Sequence, residues 1–276
     1  MKQVFKSAEP PCLQAYRSSK PSDSWDQMRN NSQHFGQAVY DCIAELISTD
    51  QGGLCAYCEI DISRSLNTFR VDHFVAKSLS SSQRNWGLDW ENMLASCKGG
   101  ENQYTRSRNH FEKPIRKNLS CDAHVNRLAQ KGGAGKPLDD RRGLVINPLS
   151  LPPSPLLIRF DTDQGTLEPH TQRCSMVSLE GNKHSSTIEL VENTIRVFNL
   201  NCPRLCRARK DWFDELEEEL EAEIQAGRSA AEVASELCEN LLRPPYPSFF
   251  TVSRIWLGLI AEDFLQRNQI LTIPEP

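Results

Sequence analysis

The segment Leu54-Cys55-Ala56-Tyr57-Cys58-Glu59 (LCAYCE) is followed by Arg70-Val71-Asp72-His73-Phe74-Val75-Ala76-Lys77-Ser78 (RVDHFVAKS), and the relation between the two decides how the rest of the chain is read. A Cys-x-x-Cys pair serves either as a redox couple or as half of a zinc site. A thioredoxin-like couple needs a strand before it and a helix after it. Here Gln51-Gly52-Gly53 precede the pair and an Asp-His follows it, so the pair reads as a zinc knuckle. Structural zinc takes four tetrahedral thiolate or imidazole ligands. Cys97, in Ser96-Cys97-Lys98-Gly99-Gly100, and Cys121, in Ser120-Cys121-Asp122, complete the set if the ends of the long loop between them meet in the fold.

A chain of 276 residues buries enough apolar surface to fold without a metal, so the zinc is expected to be a local device. No run approaches the ~18 apolar residues of a membrane span, and the opening residues lack the apolar stretch of a signal peptide. A soluble, cytoplasmic protein with no membrane partner is expected. In that compartment the ten cysteines read as ligands or reduced thiols, with Cys12, Cys42, Cys174, Cys202, Cys206 and Cys238 as buried thiols. The net charge of −4 is unevenly spread. Residues 98–142 are basic, carrying Lys98, Arg106, Arg108, Lys113, Arg116, Lys117, Arg127, Arg141 and Arg142 among others, whereas residues 214–239 are dominated by glutamate. A phosphate backbone would be accepted by the first stretch and repelled by the second.

Apolar periodicity predicts helices over about 32–48, 188–197, 203–226, 230–242 and 252–264, and a short helix beginning near Cys121. The first thirty residues, rich in Ser, Pro and charge, read as an extended arm anchored by Trp25. β-prone pieces occur at 68–74, and "RGLVINPLS" followed by "LLIRFDTDQGTLEP" reads as two strands with a turn at Asp163-Gln164-Gly165. The expected class is α+β, with a small metal-centred core embedded in a mostly helical protein. Its expected divisions are an arm and helix over 1–50, a zinc-knuckled unit over 51–150, and a small β element with a helical half over 151–276.

Nested between the cysteines lie Asp72-His73 and Trp90-Glu91-Asn92. With Cys55 to Glu59, His73-Phe74, Lys77-Ser78, Cys97-Lys98-Gly99-Gly100, Cys121-Asp122, Ile146-Asn147-Pro148-Leu149, Thr194-Ile195 and Asn199-Leu200-Asn201, this order resembles the HNH endonucleases of the PtuB type, found in the Septu anti-phage system and in some retrons. The resemblance covers about 35–209. It implies a zinc-knuckled ββα-metal core, nucleic acid as substrate, and a PtuA-like ATPase subunit as partner. The chain departs from the pattern at Val75-Ala76, where an Arg-Pro is usual, and at Val125, where a lysine is usual. The last metal position is Asp122, with His124 two residues on.

Phosphodiester hydrolysis needs a base for water and a divalent cation for the charge that develops on the leaving oxygen. His73 is the candidate base, because an imidazole titrates near neutrality. Asp72, on the opposite face of the same strand, is a hard oxygen ligand suited to Mg²⁺ or Mn²⁺. Asn92 is expected to orient His73 or the metal through its carbonyl. Asp122, displaced about 100° from Cys121 on a helix, is favoured over His124 as the second ligand. Lys77, Arg106, Arg108, Arg116 and Lys117 are the candidate phosphate contacts. DNA is the favoured substrate. RNA such as a tRNA stays open, as does a non-catalytic zinc ribbon in which Asp72 and His73 only support the fold.

Overall fold

The computed structural model describes residues 1–101, 113, 115–130, 139–268 and 270. Helices α1 (Pro11–Ser19) and α2 (Trp25–Asn30) open the chain, so the expected extended arm is helical. The reason is local. Pro10 and Pro11 set the first turn of α1, and Ser24 with Gln27 forms a capping box on α2. These helices bury Leu13, Tyr16, Trp25 and Met28 against α3 (Gly36–Asp50), and Cys12 and Cys42 form a disulfide between α1 and α3. This corrects the reading of both as separate thiols. Their side chains meet between α3, an expected helix, and α1, in the stretch that reads as an extended arm.

Strand β1 (Phe69–His73) pairs antiparallel with β2 (Met93–Cys97), with Phe69 opposite Cys97 and His73 opposite Met93. Helix α4 (Cys121–Gln130) packs on β2. The second small sheet joins β3 (Ile158–Phe160) to β4 (Leu167–Pro169). Both strands come from the second of the two predicted pieces. The RGLVINPLS stretch forms no strand, because its backbone is served elsewhere. Ile146 N donates to Thr194 Oγ1, and Pro148 O accepts from Val4 N.

A short α5 (Thr171–Met176) is capped by His170, and α6 (Thr187–Val197), α7 (Pro203–Gln225), α8 (Ala230–Leu241), α9 (Phe250–Leu257) and α10 (Leu259–Arg267) complete the chain. One apolar core gathers residues from Met1 to Leu205 together with Phe249 and Val252, and a second joins Leu54 and Leu216 to α8, α9 and α10. The stripe on α7 is covered at Leu216 and left open at Ile224. No helix among the described residues is long and apolar enough to cross a membrane.

Candidate metal centre and the Asp72–His73 strand end

The knuckle begins where α3 stops. Gln51, 1% exposed, donates to Leu54 O and Ala95 O and accepts from Ala95 N, fastening the turn to the middle of β2. Leu54 bridges Asp61, and within that loop Ala56 N donates to Ala95 O. Cys55 and Cys58 are thereby brought to the end of β2, where Cys97 sits. Cys121 arrives from the other side, its N–H on Phe198 O. Gly99 lets the chains approach: its φ is +58°, and a Cβ there would fall 2.1 Å from Ser120 O.

The four Sγ atoms lie within 4.8 Å of one another, with Cys55–Cys121 at 3.8 Å and Cys58–Cys97 at 3.5 Å. A tetrahedron with bonds of ~2.3 Å has edges of about 3.8 Å, so the cluster fits a zinc-sized ion. The electrostatics agree. Burial and the neighbouring Cys55, Cys58 and Cys97 push the Cys121 thiol well above its ordinary range, and a divalent cation is what allows four buried thiolates to coexist. Backbone N–H groups of Cys97 and Gly99 point at Cys55 Sγ and Cys97 Sγ, as thiolate ligands require. The cluster could therefore hold a metal such as zinc.

Asp72 and His73 end β1 and face opposite ways. Asp72 Oδ2 accepts from Tyr57 Oη and Arg141 Nη1, both at 2.6 Å, and Oδ1 accepts from Arg141 Nη2 at 3.3 Å. These donors hold its carboxyl below the usual range although it is buried. Tyr57 stacks on Phe198 with ring centroids 3.9 Å apart. His73 packs edge-on against Trp25 at 4.8 Å, and its Nε2 is 3.0 Å from Gly87 O. Burial brings the imidazole down to about 4, so it is neutral at neutral pH. A carbonyl can only accept, so Nε2 carries the proton and Nδ1 the lone pair.

Asp122, at the start of α4, pairs with Arg70 at 3.4 Å. Burial, and then the Asp72 charge, raise its carboxyl to about 6, whereas His124 is lowered by burial alone. Asp122 is thus the residue of the two that feels Asp72. Helix α4, which Asp122 opens, packs on β2, the neighbour of the strand that carries Asp72. Among the described residues the Asn92 side chain hydrogen-bonds to neither the imidazole nor these carboxylates. Its Oδ1 accepts from Val75 N, and its Nδ2 donates to Val75 O and Trp86 O, so any influence on His73 runs through the backbone after β1.

Among the candidate phosphate contacts, Lys77 pairs with Asp26 at 3.0 Å, Arg116 and Lys117 are exposed on the turn before Cys121, and Arg106 and Arg108 lie outside the described residues. Arg141 does not belong with them. It is turned inward onto Asp72. Tyr57, Gln51 and Arg141 are not singled out by the sequence, and Trp25 is expected only as an anchor of the arm, not as a neighbour of His73. Of the first three only Tyr57 carries a signal, its place between the knuckle cysteines.

Fold and site define an α+β protein with four clustered, buried cysteines that could hold a metal. No family model matches the chain. A protein named "Retron Ec83 putative HNH endonuclease", from Escherichia coli, is 36% identical over 212 residues, spanning 76% of this chain and 78% of that protein. The chain belongs to the HNH endonucleases and is a nuclease.

Proposed function

We propose that this chain is the metal-dependent endonuclease of a retron- or Septu-type anti-phage system of the PtuB kind, hydrolysing phosphodiester bonds of nucleic acid in the cytoplasm beside an ATPase subunit. The observation that carries the reading is the end of β1, where a neutral imidazole and an ionised carboxylate point to opposite sides of one strand, with the four-thiol cluster at the other end of the same hairpin. The retron setting comes from the relative's name.

In this reading Cys55, Cys58, Cys97 and Cys121 hold structural zinc, which fixes β2 against α4. Asp72 and Asp122 would hold Mg²⁺ or Mn²⁺, which when bound supplies charge neutralisation for the leaving oxygen. His73, its tautomer set by Gly87 O, takes the proton of the attacking water on Nδ1. Asn92 keeps the segment after β1 in place, and with it the direction of the imidazole. Lys77 lines a cleft of about 1010 Å³ between α1–α2 and residues 77–89, whose wall includes Trp25 and Gly87, the two neighbours of His73. A nucleic-acid strand lying there, with Lys77 on its phosphates, would pass close to the base; Arg106, Arg108, Arg116 and Lys117 are further phosphate contacts in this reading. DNA is the favoured substrate.

Zinc-loaded protein offered supercoiled plasmid, nicked plasmid, linear DNA and RNA in parallel, with Mg²⁺ or Mn²⁺ and with His73→Ala as control, tests this. Divalent-dependent cleavage that the variant lacks is expected. If His73→Ala cleaves as well as the parent, His73 is not the base.

A further inference from the structure

We propose that Arg141 is a latch on Asp72: its guanidinium occupies the carboxylate in the free protein, and the catalytic cation binds only as the guanidinium withdraws. The inference rests on the reading of Asp72 as a ligand of that cation. Arg141 acts through Asp72 and is a positioning residue.

The geometry is specific. Both side chains are almost fully covered, at 7% and 5% exposure, and are joined at 2.6 Å. Asp72 Oδ2 already has two donors, Tyr57 Oη and Arg141 Nη1, which is the capacity of one carboxylate oxygen. A cation at the ~2.1 Å that Mg²⁺ demands has no lone pair left on Oδ2, and on Oδ1 it meets the positive charge of the same guanidinium. Arg141 and a divalent cation therefore compete for one group.

The latch is also built to release. A buried carboxylate stripped of its partner is strongly disfavoured, so some cation must always face Asp72, and Arg141 provides it until the divalent ion does. Arg141 Nε is buried and without a hydrogen-bond partner among the described residues, so the guanidinium is satisfied at one edge only. Its backbone, by contrast, is fixed. Asp140 bridges Val75, Ala76 N donates to Asp139 O, and Arg141 O accepts from Leu144 N and Val145 N. The side chain can leave Asp72 while the main chain keeps its place, and an oxyanion such as a phosphodiester is the acceptor its fork geometry suits.

Mn²⁺ binding to zinc-loaded protein, without nucleic acid, is measured by electron paramagnetic resonance for the parent, Arg141→Gln, Arg141→Lys and Asp72→Asn. Zinc content and Tm are recorded alongside. Removing a competing charge should tighten Mn²⁺ binding in Arg141→Gln by at least about tenfold, and by less in Arg141→Lys, while Asp72→Asn abolishes the site. A residue that merely supports Asp72 would give the opposite sign, since its loss would loosen the ligand. If Asp72→Asn abolishes binding but neither Arg141 variant tightens it, the latch is wrong and the metal reading stands. If Asp72→Asn binds Mn²⁺ as the parent does, both fall. Should Arg141→Gln lose its zinc through misfolding, Arg141→Lys decides alone: tighter binding supports the latch, and equal or weaker binding overturns it.

Discussion

Asn92 closes on Val75 at both ends of the residue, its Oδ1 accepting from Val75 N at 2.7 Å and its Nδ2 donating to Val75 O at 2.8 Å. A third bond, to Trp86 O at 2.8 Å, ties in the far side of the loop. Replacing Asn92 by Ala would strand one donor and two acceptors in a buried site. The expected cost is about 2–4 kcal/mol, read as a lower Tm, together with loss of cleavage. Asn92→Asp should fare no better, because the carboxylate would face Val75 O and Trp86 O. Unchanged cleavage in a folded Asn92→Ala would remove Asn92 from the positioning of His73.

Metal content separates the two proposed sites. Elemental analysis of purified protein should find about one zinc per chain. Cys121→Ser or Cys55→Ser should lose it and become poorly soluble, and Asp72→Ala should keep it, since thiolates are soft ligands and a carboxylate is hard. Equal zinc loss in Asp72→Ala would sink the division between them.

The exposed pair Arg116 and Lys117 precedes Cys121 on the chain and faces solvent. Reversing both charges to Glu should weaken nucleic-acid binding across sequences and flatten its salt dependence by about two phosphate contacts, leaving zinc in place. A titration series at several salt concentrations would show it, and an unchanged slope would assign the turn another role.

Helix α7 carries the acidic stretch, a face that a basic surface of the ATPase subunit would meet. Glu217 is not free for that purpose, because its carboxylate accepts from Trp256 Nε1 in the second core. Glu215, Glu218 and Glu219 are exposed and lie one turn apart. Changing these three to Lys should abolish co-purification with the ATPase at moderate salt while preserving Tm. A complex that survives would make the face solvated surface and nothing more.

The disulfide between Cys12 and Cys42 spans a sequence separation of 30. Under oxidising conditions the Cys12→Ser, Cys42→Ser double variant should be less stable by up to about 3–4 kcal/mol on the loop-entropy scale. In a thiol reductant the gap should close. Equal melting in both buffers would mean that the bond adds nothing to the packing of Leu13, Tyr16 and Met28.

Local signals made part of this architecture readable. The knuckle, the Asp-His and the helix near Cys121 each rest on residue type at short spacing, and the four cysteines do converge. What sequence did not reveal is decided between distant segments. Arg141 stands beside Arg142 in a basic run, yet one is buried on Asp72 and the other pairs with Asp140 at the surface. Nothing in composition distinguishes them, because the difference lies in which one the Val75–Asp140 bridge turns inward. Likewise Ser- and Pro-rich sequence before Trp25 hid two helices, whose caps are made of the very residues that signal a loop.

The opening twenty-five residues have a bearing on transplantation. Trp25 packs on His73, Lys6 donates to Met93 O, Ser7 O accepts from Trp90 Nε1, and Asp23 O accepts from Asn85 Nδ2. Four clasps from the first twenty-five residues thus grip the connection between β1 and β2. A fragment cut at residue 51 would keep every cysteine of the cluster and both residues of the Asp-His, but it would lose the wall against which the imidazole rests. In this nuclease the motif is no portable cassette: grafted into another scaffold it would carry its four thiols but leave its aim behind.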